Sequence, residues 1–357
     1  MHSSIVNCMN ENNVKGLIIM RSKKLMKGVA IATIAAMSMG MLAGCGGGKE
    51  DEVQQYKVGL VQLMQHGSLD EANAGMVAGL ADNGFVEGEN LVIDQQNAQG
   101  DQSNLQTIAQ KFLADEVDLI MAIATPAAQV MAANTEEIPI VGTAITSFEG
   151  VGLVKSDAEP GVNVTGTNDM NPVREQVELL LQLAPDAKVI GTIYTAAEEN
   201  SHIQIALLDE VAAKKGLTVE KRTIQTVNDI QQAAQSLVGV ADALWLPTDN
   251  NVASAIPNVV GVTDPAGIIT IPGAESMVEA GATATYGFSY YDIGYNAGVM
   301  AAQILKGEAD PATMPVQSPK AEDLTAIINT DAVELLGLEV PQDLMESAKK
   351  VTTDITQ

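Results

Sequence analysis

The residues that could do chemistry are few and widely spaced. The chain has 357 residues but only two cysteines, Cys8 and Cys45, and three histidines, two of which, His66 and His202, lie beyond the N-terminal segment. There is no GxxxxGK[ST] phosphate loop, no GxSxG nucleophile elbow, no HExxH and no Cys/His cluster. Two thiols cannot build a disulfide framework or a four-thiolate zinc site. Carboxylates are plentiful, with 45 Asp and Glu against 19 Lys and Arg and a net charge of −26, so a paired Asp and Glu carries little information. That acid excess repels a phosphate backbone and argues against nucleic acid as a partner. No catalytic group, cofactor or metal is implied, and the expectation is a non-enzyme.

The polar residues that remain informative are those that come directly after apolar runs. Gln65 and His66 come after YKVGLVQLM, and Thr125, Pro126, Ala127 and Ala128 after DLIMAIA. Thr146, Ser147, Phe148 and Glu149 come after IPIVGTAI. Further on, Glu198, Glu199, Asn200 and Ser201 come after KVIGTIYT, Thr248 ends DALWLPT with Asp249 and Asn250 after it, and Tyr286, Tyr290 and Tyr291 surround the start of the last long helix. In open parallel sheets, ligands sit at the carboxyl ends of strands, so these positions form the candidate site.

Each candidate has a structural and a functional reading. Thr125 reads as a helix cap, while the N–H groups of Ala127 and Ala128 could receive a ligand carboxylate. Asp249 and Asn250 read as a turn into a helix, while Asp249 could pair with a ligand ammonium. Asn200 and Ser201 read as a helix start or as hydrogen-bonding groups for a ligand. His66 reads as an edge residue or a ligand contact, beside Gln65. Thr146 belongs to the same strand-end set, and Phe148, Tyr286 and Tyr290 are the candidate aromatic walls. Trp245, inside its apolar run, reads as core.

The elements that must position these residues repeat as strand then helix. The pattern predicts strands at 56–64, 90–97, 118–124, 138–145, 188–195, 217–224, 242–248, 267–272, 283–288 and 324–329. Helices are expected between them, with a long one over 291–306 and Gly307 past its end. Ser68 with Glu71, and Ser103 with Gln106, have capping-box spacing. The alternation gives an α/β fold of two doubly wound parallel-sheet lobes joined by a hinge. The lobes are expected at 56–165 plus about 290–316, and at 166–289 plus about 317–350.

The N-terminus reads as a targeting segment. RSKKLMK at 21–27 precedes an apolar run, GVAIATIAAMSMGMLA, that is too short and too rich in small residues for a membrane anchor. Residues 1–19 read as an over-extended start. Leu42-Ala43-Gly44-Cys45 resembles the lipobox of bacterial lipoproteins, in which the cysteine is lipidated; residues 46–55 then make a flexible tether. A lipid on Cys45 would hold the protein at a membrane surface outside the cytoplasm.

Across the rest of the chain, Asn97-Ala98-Gln99-Gly100-Asp101, Ala124-Thr125-Pro126-Ala127-Ala128-Gln129, Gly152-Leu153-Val154-Lys155-Ser156, Asn163-Val164-Thr165-Gly166, Glu199-Asn200-Ser201 and Pro247-Thr248-Asp249-Asn250 occur in order. Together they resemble the ABC transporter substrate-binding lipoproteins of the tryptophan/tyrosine-uptake type, over roughly Lys57 to Leu338. The resemblance implies a type I periplasmic-binding fold and delivery of a small, amino-acid-like solute, often an aromatic amino acid, to a permease. One departure is clear: Thr146-Ser147-Phe148-Glu149 stands where the family usually has Thr-Asp-Pro. A ligand-sensing lipoprotein reporting to a membrane receptor is the alternative on the same fold, and a small-amide hydrolase is a third reading.

Overall fold

A computed structural model of the chain describes residues 54–353. The signal segment, the lipobox with Cys45 and most of the tether lie outside the described residues.

The first lobe begins with β1 (Tyr56–Gln62), α1 (Gly67–Asp82), β2 (Leu91–Asn97), α2 (Gln102–Ala114), β3 (Leu119–Ile123), α3 (Thr125–Asn134), β4 (Ile140–Ile145) and β5 (Val164–Asn168). Its five strands are parallel, in the order β2-β1-β3-β4-β5. The central strands β3 and β4 are buried at every residue, because their unbroken apolar runs are covered on both faces. The edge strand β2 instead alternates with Asp94, Gln95 and Gln96, which suits an edge that meets water.

The second lobe continues with α4 (Val173–Leu183), β6 (Val189–Thr195), α5 (Glu199–Lys215), β7 (Thr218–Ile224), α6 (Ile230–Gln235), β8 (Ala243–Leu246), α7 (Asn250–Ala253), α8 (Ile256–Thr263), β9 (Ile269–Pro272), α9 (Glu275–Glu279) and β10 (Ala284–Gly287). Strands β7-β6-β8-β9 form a parallel sheet. Trp245 is fully buried there and donates its indole N–H to Gln176 Oε1 at 2.9 Å, as its place within an apolar strand predicts.

The chain then returns to the first lobe as α10 (Tyr290–Leu305), which packs along α1 and against β4 and β5. Residues 312–317 run back beside β5, and the chain ends in the second lobe with β11 (Thr325–Asn329), α11 (Thr330–Leu336), α12 (Gln342–Ser347) and β12 (Lys349–Val351). β10 and β11 are antiparallel, whereas β11 and β12 are parallel, so a small mixed sheet completes this lobe.

The contact of α1 with α10 is unusually close. Gly75 and Gly79 face Gly294 and Gly298, and a methyl group on any of the four would collide with backbone of the opposite helix. A four-residue glycine spacing on both helices is what lets the two backbones meet.

Three helix starts differ from the sequence expectation. α1 begins at Gly67 after His66, so Ser68 lies inside the first turn and its hydroxyl meets Ser276. Asp101, not Ser103, caps α2: it holds the extended backbone of a cap and its carboxylate accepts the N–H groups of Ser103 and Asn104. Ala124, at φ +85°, precedes α3, so Thr125 is the first helical residue rather than the cap.

Candidate functional site

The ends of the parallel strands in the two lobes face one another across a narrow, largely filled cavity. The first lobe contributes His66, Ser68 and Leu69 from the start of α1, Ala144 and Thr146 from the end of β4, and Asp169 just after β5. The second contributes Asn200 from α5, Thr248, Asn250 and Ala253 around α7, and Ala274 and Met277 around α9. Tyr290, the first residue of α10, completes the lining. No Lys or Arg is among these residues.

Local backbone geometry aims part of this lining. β4 and β5 lose register between Gly142 and Ile145, and Ala144 adopts a left-handed φ of +54° there. Such a bulge bends the strand and re-aims its last residues, here turning Ala144 and Thr146 to the cavity.

Away from the segments that connect the lobes, four side-chain hydrogen bonds among the described residues cross the cleft. His66 Nε2 meets Asn250 Oδ1 at 3.3 Å, and the Ser68 and Ser276 hydroxyls are 2.6 Å apart. Gln204 Nε2 donates to Thr146 Oγ1 at 3.0 Å, and Gln129 Nε2 donates to Glu199 Oε2 at 2.8 Å. Gln204 is fully buried and also holds the Thr248 hydroxyl, the Thr248 N–H and the Asn171 amide.

The electrostatics are those of acceptors without a cation. Asp169 Oδ2 accepts the Tyr290 hydroxyl at 2.7 Å, but its Oδ1 is buried with no partner among the described residues. Burial raises the Asp169 pKa to about 6, against the opposing pull of the Tyr290 and Thr146 hydroxyls and of its own backbone N–H. Asn200 Oδ1 and His66 Nδ1 are likewise buried and unpartnered. Burial lowers the His66 pKa to about 4, so its ring is neutral near pH 7.

Behind the cavity, burial raises both Glu198 and Asp249, and the charge of Asp249 adds to the effect on Glu198. Asp249 is the better satisfied of the two. It accepts from Thr195 N, Thr195 Oγ1, Ser201 Oγ and Val252 N, at 2.6–3.1 Å.

Among the sequence candidates, the structure brings His66, Thr146, Asn200, Asn250 and Tyr290 together at the cavity. The others lie elsewhere. Gln65 lines a neighbouring groove with Glu71 and Glu279. Thr125, Ala127 and Ala128 are buried in α3. Phe148 is fully buried and packs under Gly142, and Ser201 and Asp249 bind each other beneath the surface. Tyr286 packs on the hydrophobic core of the second lobe. Thr248, also at a strand end, lines the cavity too, and the cavity residues that strand-end reasoning did not single out include Ser68, Asp169 and Met277. Asp169 comes after the sequence VTGTN, a buried strand whose threonines and glycine carry no apolar signal.

Two parallel-sheet lobes whose strand ends meet over a polar cavity define a periplasmic-binding-type protein. The sequence profile described as "ABC transporter substrate binding protein" matches residues 57–352, and the chain belongs to that family.

A relative from Clostridioides difficile (strain R20291), named "Tyrosine-binding protein", is 38% identical over 328 residues, which is 90% of this chain and 94% of the relative. A Streptococcus pneumoniae domain solved in complex with L-Trp is 37% identical with a TM-score of 0.80, covering 84% of this chain and all of that one. A ligand-free, open substrate-binding protein with adhesive properties from Clostridium difficile is 42% identical but has a TM-score of only 0.65, over 84% of this chain and all of that one. The backbone as a whole is therefore nearer that of the complex than that of the open form, despite the higher sequence identity of the latter.

Proposed function

We propose that the protein is the extracytoplasmic, lipid-anchored binding subunit of an ABC importer, and that it closes its lobes over an aromatic amino acid. The observation that carries this reading is the pair of buried, unpartnered acceptors, Asp169 Oδ1 and Asn200 Oδ1, in one cavity lined by both lobes and by no cationic side chain. Buried acceptors of this kind are costly unless a donor arrives, and a ligand ammonium is such a donor. The relatives named for tyrosine and solved with L-Trp support an amino acid as its source.

In this reading, the ammonium pairs with Asp169 rather than Asp249, whose carboxylate oxygens are already committed to four protein donors. The ligand carboxylate faces the N-terminus of α1, because His66, Ser68 and Leu69 line the cavity whereas Ala127 and Ala128 of α3 do not. The ligand side chain lies against Leu69, Ala144, Ala253, Ala274, Met277 and Tyr290. The first lobe runs from residue 56 through β5 to Asp169 and takes back about 290–316, and the second holds the rest, to about 350. Lipidation at Cys45 holds the protein beside its permease.

The reading is tested by thermal unfolding of the purified full chain, stripped of carried-over ligand and screened against the twenty amino acids, common sugars and purines. A ligand that binds only the folded state raises the melting temperature by mass action. The rise is expected with Tyr, Trp or Phe. A rise with a sugar or purine alone contradicts the amino-acid assignment. Separately, Cys45→Ala is expected to move the protein from the membrane to the soluble fraction of cells that produce it. An unchanged distribution contradicts the lipid anchor.

A further inference from the structure

One carboxylate behind the cavity governs which way the polar groups in front of it point. Glu198, the residue before α5, is only 6% exposed. Its Oε2 accepts three hydrogen bonds: from Asn200 Nδ2 at 3.0 Å, from Asn250 Nδ2 at 2.7 Å and from the Asn250 backbone N at 3.1 Å. This oxygen accepts even when the carboxyl holds a proton on its other oxygen. Each side-chain amide has one NH₂ end and one oxygen end, so an acceptor behind the pair turns both oxygens forward.

The consequences continue into the first lobe. Asn200 Oδ1 is left buried and unpartnered at the cavity. Asn250 Oδ1 meets His66 Nε2 at 3.3 Å. A carbonyl oxygen there requires Nε2 to carry the ring proton, which leaves Nδ1 of the neutral ring as a bare acceptor, buried and unpartnered. With Asp169 Oδ1, three residues of the cavity lining offer unpartnered acceptors; Glu198 sets the polarity of His66 through Asn250, and shares that of Asn200 with the Thr248 carbonyl, which accepts from Asn200 Nδ2 at 3.4 Å.

We propose that Glu198 is a positioning residue that makes the cleft selective for a primary ammonium group, by fixing the amides of Asn200 and Asn250 and, through Asn250, the tautomer of His66. The inference rests on the amino-acid reading above and says how that amino group is told from its absence. A primary ammonium brings three N–H donors to these three acceptors. A deaminated analogue brings none and leaves them unpaired. An amide turned the other way would present an NH₂ to the ammonium, donor against donor.

The test is calorimetric titration of the full chain with L-tyrosine and L-tryptophan, and with 3-(4-hydroxyphenyl)propionate and indole-3-propionate, which lack only the amino group. The readout is the ratio of affinities within each pair. Glu198→Ala is expected to lower that ratio about tenfold or more, the size of losing charge-assisted hydrogen bonds. Glu198→Gln keeps an oxygen that can accept from both amides, and is expected to hold the ratio within about threefold of the wild type. If Glu198→Ala does not fold by circular dichroism, Glu198→Asp carries the same expectation of a lowered ratio, because its oxygen is withdrawn by one methylene.

A variant that weakens both members of a pair equally shows a purely structural role and overturns the proposal, as does an unchanged ratio. Wild-type protein that binds neither amino acid overturns the amino-acid reading itself, and this inference with it.

Discussion

At the scale of single residues, the decisive feature is a carboxylate held short of satisfaction. Burial raises Asp169 from 3.8 to about 6, so its ionised state is less favoured here than in water. A folded-state pKa above the unfolded value contributes stability below about pH 4, and that contribution is lost as pH rises through about 6. Glu71, raised to about 7 by burial and by Glu279 and Glu275, acts in the same direction, while His66, lowered to about 4, acts in the opposite one. A ligand ammonium beside Asp169 reverses the penalty, because it favours the ionised carboxylate. The affinity for the amino acid is therefore expected to fall as pH drops from about 7.5 to about 5, and Asp169→Asn is expected to flatten that dependence. Titrations at the two pH values check this; a slope that survives in Asp169→Asn sinks the assignment. His66, Asn200 and Asn250 were legible in the sequence because each comes after a strand with a strong apolar run. Asp169 was not, because VTGTN does not look like a strand. Nor could the sequence show that Asp249 would turn inward to four donors contributed by Thr195, Ser201 and Val252.

At the scale of elements, the joint of α1 and α10 holds the start of each helix at the cavity. Their N-terminal residues supply Ser68, Leu69 and Tyr290 to the lining, so the spacing of the two helices sets the position of all three. Gly298→Ala is expected to destabilise the fold by about 1–3 kcal/mol through overpacking, because its new methyl group would meet the backbone of Met76 and Gly79. Urea unfolding measures this; an unchanged midpoint would mean that the helices separate freely. The strand and helix succession was legible from unbroken apolar runs and helical spacing. Strand direction in the last sheet was not, since a buried strand such as β11 has the same apolar pattern in either direction. The cap positions of α1 and α2 were misread because the spacing of Ser68 and Ser103 to their partners says nothing of which residue holds the extended backbone of a cap.

At the scale of the whole molecule, away from the segments that connect them, the two lobes meet through four side-chain hydrogen bonds among the described residues, none of them between full charges. Such an interface suits a protein that must open again, since each bond contributes only about 1 kcal/mol once exchange with water is counted. The backbone is more like that of the L-Trp complex than that of the open relative. Asp169 of one lobe and Asn200 of the other line one buried cavity, where a charge pair is stronger than in water. The two-lobed architecture was legible from the repeated strand–helix units, but which strand ends would face each other was not, because the pairing is made only when the lobes close. The most direct test of the central claim is calorimetric titration of L-tyrosine and L-tryptophan into the wild-type chain and into Asp169→Asn. The account predicts tight binding of at least one of them to the wild type and a loss of about tenfold or more in the variant. Equal affinity in the two proteins would contradict it.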